Sequence, residues 1–543
     1  MNSPLLNQVR KTLSKYDCAE LLAIIAGLQL MPENANRSVR LEALTHAVAS
    51  INSKGFGSKK HISLKELEKI CNSDLSSLAS FYLQEDPFSN PFTEAFSFYG
   101  GSYIVFPGIA EEQTFILRNL VIAIFFESQK FFSKEFKRKA YELILAVLVL
   151  SNEIARRAGL KRGVEPVDIS SDVVFPTSQH LNYLKNSVSF SQLELTTSLA
   201  KNGISSLALE KLILEVGNVS MNNYNIDNGE LLAKPIVKVA GKFIVAIPGI
   251  LLTAIRNELI RLAIEHGVKN ELVKFYSNVI WDNIRDSLGY ISNYPTKIST
   301  PDIPDIPFFQ DAFFQFDTDK LAYVSLVSDS LDSYDFQQPL AYCNLDHIGK
   351  QLEARIKEIY EYVFTNLSGI NEVLFLSIFQ GVGRQIVVSF KQPEIESLLF
   401  IGLSAGDLET ITLLEGGKPL VLWKYARSLS RLRQQANIVS FSELNNFFHY
   451  RKNDYSYYLS DESPAHLITI LDGARELRRE VIHQRDYHTV PSYIPNYLTE
   501  VTLLFSTREI PIYIPKSFLS KIPQPLTCLL ETLPLFVWVI QKN

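Results

Sequence analysis

The densest run of side chains able to do chemistry lies at residues 449–488. Four of the nine histidines fall there, His449, His466, His483 and His488, with Asp454, Asp461, Arg485 and Asp486 among them. The sharpest piece is His483-Gln484-Arg485-Asp486-Tyr487-His488. Imidazole and carboxylate together can ligate a divalent metal, or hold a general base in one tautomer. A guanidinium beside them can clamp phosphate or carboxylate. One expectation is therefore a metal-assisted hydrolase of the phosphoester class. His483, Asp486 and His488 would converge, with Asp461 as accessory ligand or base, and a divalent metal would be the cofactor. The competing expectation is a polar loop with structural hydrogen bonds, because the spacing matches no strong metal motif.

Three further places could bind or react. Asp329, Asp332 and Asp335 follow an expected strand at 321–327. Carboxylates beyond a strand's carboxyl end can hold magnesium, and a solvated loop is the plainer alternative. Ser404-Ala405-Gly406-Asp407-Leu408-Glu409 reads as a strand-to-helix turn, where a helix N-terminus favours an anion or Ser404 or Asp407 simply caps it. Lys424, Arg427 and Arg431 at i, i+3 and i+7 share a helix face, beside Trp423 and Tyr425. Lys130, Lys134, Lys137, Arg138 and Lys139 form a second basic run, diluted by Glu127, Glu135 and Glu142, and Arg156, Arg157, Lys161 and Arg162 follow. Such faces can meet a phosphate backbone, or remain ordinary solvated surface.

Other chemistries are not expected. The sequence has no GxxxxGK[ST] phosphate loop, no GxGxxG dinucleotide turn and no HExxH zinc helix. Lipase-like chemistry is not expected either. A net charge of −5 and a pI near 6.1 make no global case for a nucleic-acid-binding protein, so such contact would be local. Cys18, Cys71, Cys343 and Cys528 have no metal-ligand spacing and read as reduced core thiols. The N-terminus lacks the apolar stretch of a secretory leader. The densest apolar runs, 120–126, 143–150 and 536–540, are far shorter than the ~20 residues of a membrane span. The expected location is the cytoplasm, with no membrane partner.

The elements that would position these groups are those of an α/β or α+β protein with several domains. Helices are expected at 18–30 and 39–51, and Ser63-Leu64-Lys65-Glu66 has the form of a capping box. A hairpin is expected around Gly100-Gly101, with a turn-rich break at 86–91 before it and helices at 111–131 and 134–158 after it. The pattern returns about 141 residues later: strand, Ala240-Gly241-Lys242, strand, then Pro248-Gly249-Ile250 matching Pro107-Gly108-Ile109. Arg118-Asn119 in the first helix recurs as Arg256-Asn257 in the second, which gives two hairpin–helix units. Pro295, Pro301, Pro304 and Pro307 mark a semi-extended linker. Beyond it, strands at 321–327, 373–379, 385–390 and 398–403 alternate with helices at 348–367, 407–414, 421–434 and 442–450. Short strand-like pieces interrupted by prolines follow from 490. The resulting division is 1–85 helical, 86–288 helix-rich with the two units, 289–312 linker and 313–543 mixed α/β.

The order LWKYARSLSRLR, FSELNNFFHYRKNDYSYYLSD, RELRREVIHQRDYH and PIYIP within 421–515, with KPIVKVAGKFIVAIPG before it, resembles a segment of large bacterial proteins of unassigned function. That resemblance implies a continuation into a nuclease-like C-terminal domain, whose catalytic part could be encoded separately, and it assigns no catalytic residue to this chain. The leading expectation is a non-catalytic scaffold or regulatory module that works with a protein partner, in a process that could be linked to nucleic acid.

Overall fold

The computed structural model describes residues 4–51, 60–75, 92–108, 113–127, 131–164, 172–219, 230–289, 292, 298–300, 309–328, 342–344, 346–380, 385–387, 399–405, 408, 422, 423, 426, 498–505, 508–515 and 535–536. Helices dominate the first half. α1 (Pro4–Leu13), α2 (Cys18–Leu28), α3 (Ser38–Ala49) and α4 (Leu64–Lys69) open the chain. α2 begins where Asp17 accepts the amide of Glu20, and nearly all of its side chains are buried. Ser63 caps α4 as expected, accepting the amide of Glu66 at 3.2 Å. The reciprocal half of the expected capping box is replaced: the Glu66 carboxylate turns to Tyr16 and Lys15 instead. A complete box occurs elsewhere, between Ser191 and Glu194.

The two hairpin–helix units are present. The first is β1 (Glu94–Phe98), β2 (Gly101–Val105) and α5 (Gln113–Ile122), the last running into a π-turn at Ala123–Glu127. Its turn is Tyr99-Gly100 rather than the expected Gly100-Gly101. Phe98 pairs with Gly101, which leaves Tyr99 and Gly100 as the two central residues, at φ of 46° and 82°. Two positive φ angles define the turn type that matches the right-handed strand twist.

α6 (Lys134–Arg157) is the central helix, capped by Ser133 and buried throughout 143–150. Around it stand α7 (Ser178–Ser187), β3 (Ser189–Ser191), α8 (Gln192–Ala200), β4 (Ile213–Glu215) and α9 (Glu230–Ala233). The second unit follows as β5 (Ile236–Val239), β6 (Lys242–Val245) and α10 (Leu251–Glu265). Its turn residues Ala240 and Gly241 repeat the two positive φ angles, at 48° and 74°. Here the hairpin sits in a four-stranded sheet of order β3-β6-β5-β4. α11 (Lys269–Gly289) completes the helical body.

The two units face each other through their Pro-Gly turns. A Cβ on Gly108 would lie 1.9 Å from the Gly249 carbonyl oxygen, so only a glycine at 108 allows this approach. Beside them, buried Gln113 accepts from Thr253 Oγ1 at 3.1 Å and from Arg256 Nη1 at 3.3 Å. Arg256 also donates to Asn257 Oδ1, and Arg118 does the same to Asn119 in the first unit. The repeated Arg-Asn pair thus meets through the arginine Nε in both copies, with a second bond, from Nη2, at Arg256.

The second half is built on a sheet of order β12-β10-β8-β7. β7 (Phe309–Asp317) begins inside the stretch expected as linker, just after Pro307, and runs antiparallel to β8 (Lys320–Ser328). β9 (Tyr342–Asn344) and α12 (Asp346–Asn366) lead to β10 (Glu372–Gln380), then β11 (Gln385–Val387) and β12 (Leu399–Ser404). β8, β10 and β12 are parallel, and β9 pairs separately with β11. Side chains alternate across the sheet. Phe313, Leu321, Tyr323, Val373, Phe375 and Phe400 pack with Ile356, Ile359 and Val363 of α12. Phe314, Ala322, Val324, Leu376, Ile378 and Ile401 belong to the same apolar cluster as the helical body. Both faces are dry, which is why these strands read as unbroken apolar runs.

Last come β13 (Leu498–Phe505), β14 (Arg508–Pro515) and β15 (Leu535–Phe536), in the order β14-β13-β15. Pro511 and Pro515 both lie in β14, an edge strand, the place where a missing N–H is tolerated. The fold class is therefore mixed α/β. Among the described residues no helix is long and apolar enough to cross a membrane.

Candidate functional site

The residues expected to carry chemistry are placed as follows. Asp461, His483, Asp486 and His488, with the rest of 449–488, lie outside the described residues, as do Lys424, Arg427 and Arg431. Asp329, Asp332 and Asp335 also lie outside them, after the end of β8. The aromatic expected beside the basic face is a core residue: Trp423 is 1% exposed and packs edge-on against Phe316 at 4.8 Å. Among the described residues no group of His, Cys, Asp and Glu could hold a metal ion.

The basic runs on α6 are partly neutralised. Arg138 donates to Glu142 at 2.7 Å and Lys139 pairs with Glu135 at 3.2 Å. Arg156 and Arg157 both bond Glu153, and Arg157 also reaches Glu194 and covers the Phe190 ring. Hydrogen bonds from Arg156 and then Arg157, against the opposing effect of burial, pull the Glu153 carboxyl down to about 2. Arg156 and Arg157 are thus parts of an ion-pair network centred on Glu153.

The expectation against lipase-like chemistry overlooked a spacing. Gly402-Leu403-Ser404-Ala405-Gly406 reads G-x-S-x-G, the nucleophile-elbow pattern, at the carboxyl end of a parallel strand. Ser404 ends β12 and Ala405 is already helical. An elbow serine leaves the ladder on a strained turn, whereas Ser404 still stands in register with Phe379. Gly406, Asp407 and Glu409 lie outside the described residues.

A polar cluster that the sequence did not reveal is buried between the sheet and α12. Asp311, Ser325, Ser377 and Gly402 lie at one level across the four strands. The next level is aromatic: Phe313, Tyr323, Phe375 and Phe400. Arg355 reaches this boundary from α12. Its Nη2 donates to Asp311 Oδ2 at 3.0 Å, its Nε to the Tyr323 hydroxyl at 3.2 Å and its Nη1 to Glu358 Oε2 at 3.0 Å. The Tyr323 hydroxyl donates to Asp311 Oδ2 at 2.6 Å, and Thr300 donates to Asp311 Oδ1 at 3.0 Å. The Ser325 and Ser377 hydroxyls bond each other at 3.1 Å.

The electrostatics follow from burial. Side chains of Arg355 and Asp311 are 2% and 7% exposed. Burial, reinforced by the Asp311 charge, raises the Tyr323 phenol far above its ordinary range, so it stays a neutral donor. Burial works against the Arg355 charge, but Tyr323, Asp311 and Glu358 outweigh it and raise its pKa. The cluster can hold charge and fix geometry. It does not present a free base or nucleophile, because the phenol is locked in its protonated form and the guanidinium faces protein acceptors.

A model of the Upx-like family, described as anti-phage protein Upx-like, matches residues 6–458. The chain belongs to the Upx-like family of anti-phage proteins. The expected kinship with uncharacterised bacterial proteins holds in this coarser form, as membership of a bacterial defence family, and the family model does not describe a nuclease-like domain. Neither the curated proteins nor the solved structures contain a match to this chain. The family match takes in both hairpin–helix units, α12 and the Asp311–Tyr323–Arg355 cluster.

Proposed function

We propose that this member of the anti-phage family acts in the cytoplasm as a non-catalytic scaffold or regulatory module that engages a protein partner during defence. The observation that supports it is the self-completed Asp311–Tyr323–Arg355–Glu358 cluster. In an open parallel sheet, ligands gather near the carboxyl ends of strands. Here, among the described residues, the buried charged groups on the α12 face are bound to one another and clamp the helix to the sheet. A rigid joint of this kind suits a surface that must be presented in one geometry.

The test is phage plating on cells that express the wild type, His483→Ala/His488→Ala, or Ser404→Ala, with metal analysis and a fluorophosphonate probe on each purified protein. The expected result is full protection by all three, no stoichiometric metal and no labelling of Ser404. Loss of protection together with loss of bound metal in the histidine variant would replace this reading with the phosphoester hydrolase. Probe labelling that disappears in Ser404→Ala would replace it with a serine hydrolase.

A further inference from the structure

The tip of the first hairpin carries a side chain that its backbone disfavours. Tyr99 sits at φ 46°, where a side chain beyond Gly or Asn is costly, and it is 60% exposed. The second unit builds the same turn with Ala240 at the matching position. The turn therefore does not require an aromatic ring, and the ring is held out at the surface by other means. Three rings brace it edge-on: Phe98 at 4.9 Å, Tyr141 at 5.1 Å and Phe125 at 5.6 Å. Phe126, next to Phe125 in the π-turn, is 57% exposed. The outcome is an exposed aromatic platform braced by its neighbours.

Basic residues lie on the same side of α6 as Tyr141. At 100° per residue, Lys134, Lys137, Arg138 and Tyr141 fall within about a third of the helix circumference. Glu135 and Glu142 lie toward one flank of that arc. Phe136 and Lys139 lie on the opposite side, turned to His266 at the end of α10. The platform is thus continued along α6 by cations rather than by further apolar surface. Apolar contact with a protein partner would not call for that. A nucleobase offers a flat face to a ring and hands its phosphate to neighbouring lysines.

We propose that the β1–β2 tip and the first turns of α6 bind single-stranded nucleic acid, with a base stacked on Tyr99 and the backbone carried by Lys134 and Lys137. A duplex keeps its bases inside, so the platform would hold it only through phosphates. This site is separate from the Asp311–Arg355 cluster and does not depend on the scaffold reading.

The experiment is fluorescence anisotropy with the full chain and a labelled oligothymidine of about 12 nucleotides, in about 50 mM salt. The decisive variant is Tyr99→Gly, because glycine favours the positive φ and removes only the ring. The expected result is a loss of about tenfold or more in affinity for this variant, as one stacked base would give. Lys134→Ala/Lys137→Ala should lower the salt slope by about 1.4, for two phosphate contacts to a single strand. A duplex of the same length should bind more weakly than the single strand. No binding of the single strand, equal binding of the duplex, or an unchanged affinity for Tyr99→Gly each overturns the proposal. In those cases the platform would belong to a protein interface.

Discussion

Gly108 and Gly249, 141 residues apart in the chain, meet backbone to backbone where the two hairpin–helix units face each other. The approach is asymmetric. A Cβ on Gly108 would strike the Gly249 carbonyl oxygen at 1.9 Å, whereas a Cβ on Gly249 would meet the Gly108 Cα at 3.2 Å. Gly108 also holds φ at 74°, and Gly249 has no such requirement.

Gly108→Ala should therefore cost about 3 kcal/mol or more, from the clash and the left-handed backbone together. Gly249→Ala should cost about 1 kcal/mol, as a small overpacking strain. Urea unfolding of both variants checks this. Equal losses would mean that the units do not meet as described.

The buried ion pair makes a second prediction. Asp311→Asn leaves the Arg355 charge under-compensated inside the protein and should cost about 3–5 kcal/mol. Tyr323→Phe removes the hydrogen bond to that carboxylate and the acceptor of Arg355 Nε, and should cost about 1–3 kcal/mol. Asp311→Leu/Arg355→Leu removes both charges and should be less destabilising than either single leucine change. A double-mutant cycle in which the two losses simply add would refute the clamp.

Part of the acid sensitivity should be traceable to Glu153. Its carboxyl is held at about 2 against an ordinary 4.5, so the folded state binds that proton later than the unfolded chain does. The stabilisation is fully present above the ordinary value and is lost as the pH falls toward the depressed one. Glu153→Gln should flatten the stability profile below about pH 4.5 and leave its shape near neutrality unchanged. Urea midpoints across this range decide it.

Cys18 and Cys71 are both fully buried, and burial pushes the Cys71 thiol up to about 12. The thiolate is the reactive form, so an alkylating reagent should modify neither residue in the native protein. Modification should appear only as the chain unfolds in urea. Rapid labelling under native conditions would contradict the burial of α2 and of the turn after α4.

The sequence was most legible where one residue's neighbours decided its state. α2, α3, α6 and α12 carry long helical periods, and β8, β10 and β12 are apolar runs long enough to identify. β7 was harder, because Gln310, Asp311 and Gln315 interrupt its apolar pattern just after a proline cluster. One of those interruptions is the carboxylate that receives Arg355, and the two are 44 residues apart. No local rule connects an aspartate on one strand with an arginine on a later helix. The first hairpin turn slipped by one residue because Gly-Gly is the stronger turn signal, while register with Phe98 placed Tyr99 there instead. The histidine-rich run was conspicuous by composition, and it lies outside the described residues.

The two dry faces of the β12-β10-β8-β7 sheet bear on the order of events during synthesis. Domains fold as the chain emerges, the N-terminal part first. The helical body is complete once α11 has left the ribosome, before any strand of this sheet exists. The β7–β8 hairpin comes next and can lay Phe314, Ala322 and Val324 against that waiting cluster at once. Its other face, with Phe313, Leu321 and Tyr323, stays wet until α12 arrives with Ile356, Ile359 and Val363. A ribosome paused between the end of β8 and the middle of α12 would therefore hold out a sticky, half-closed hairpin, and that interval is where the nascent chain would most need a chaperone.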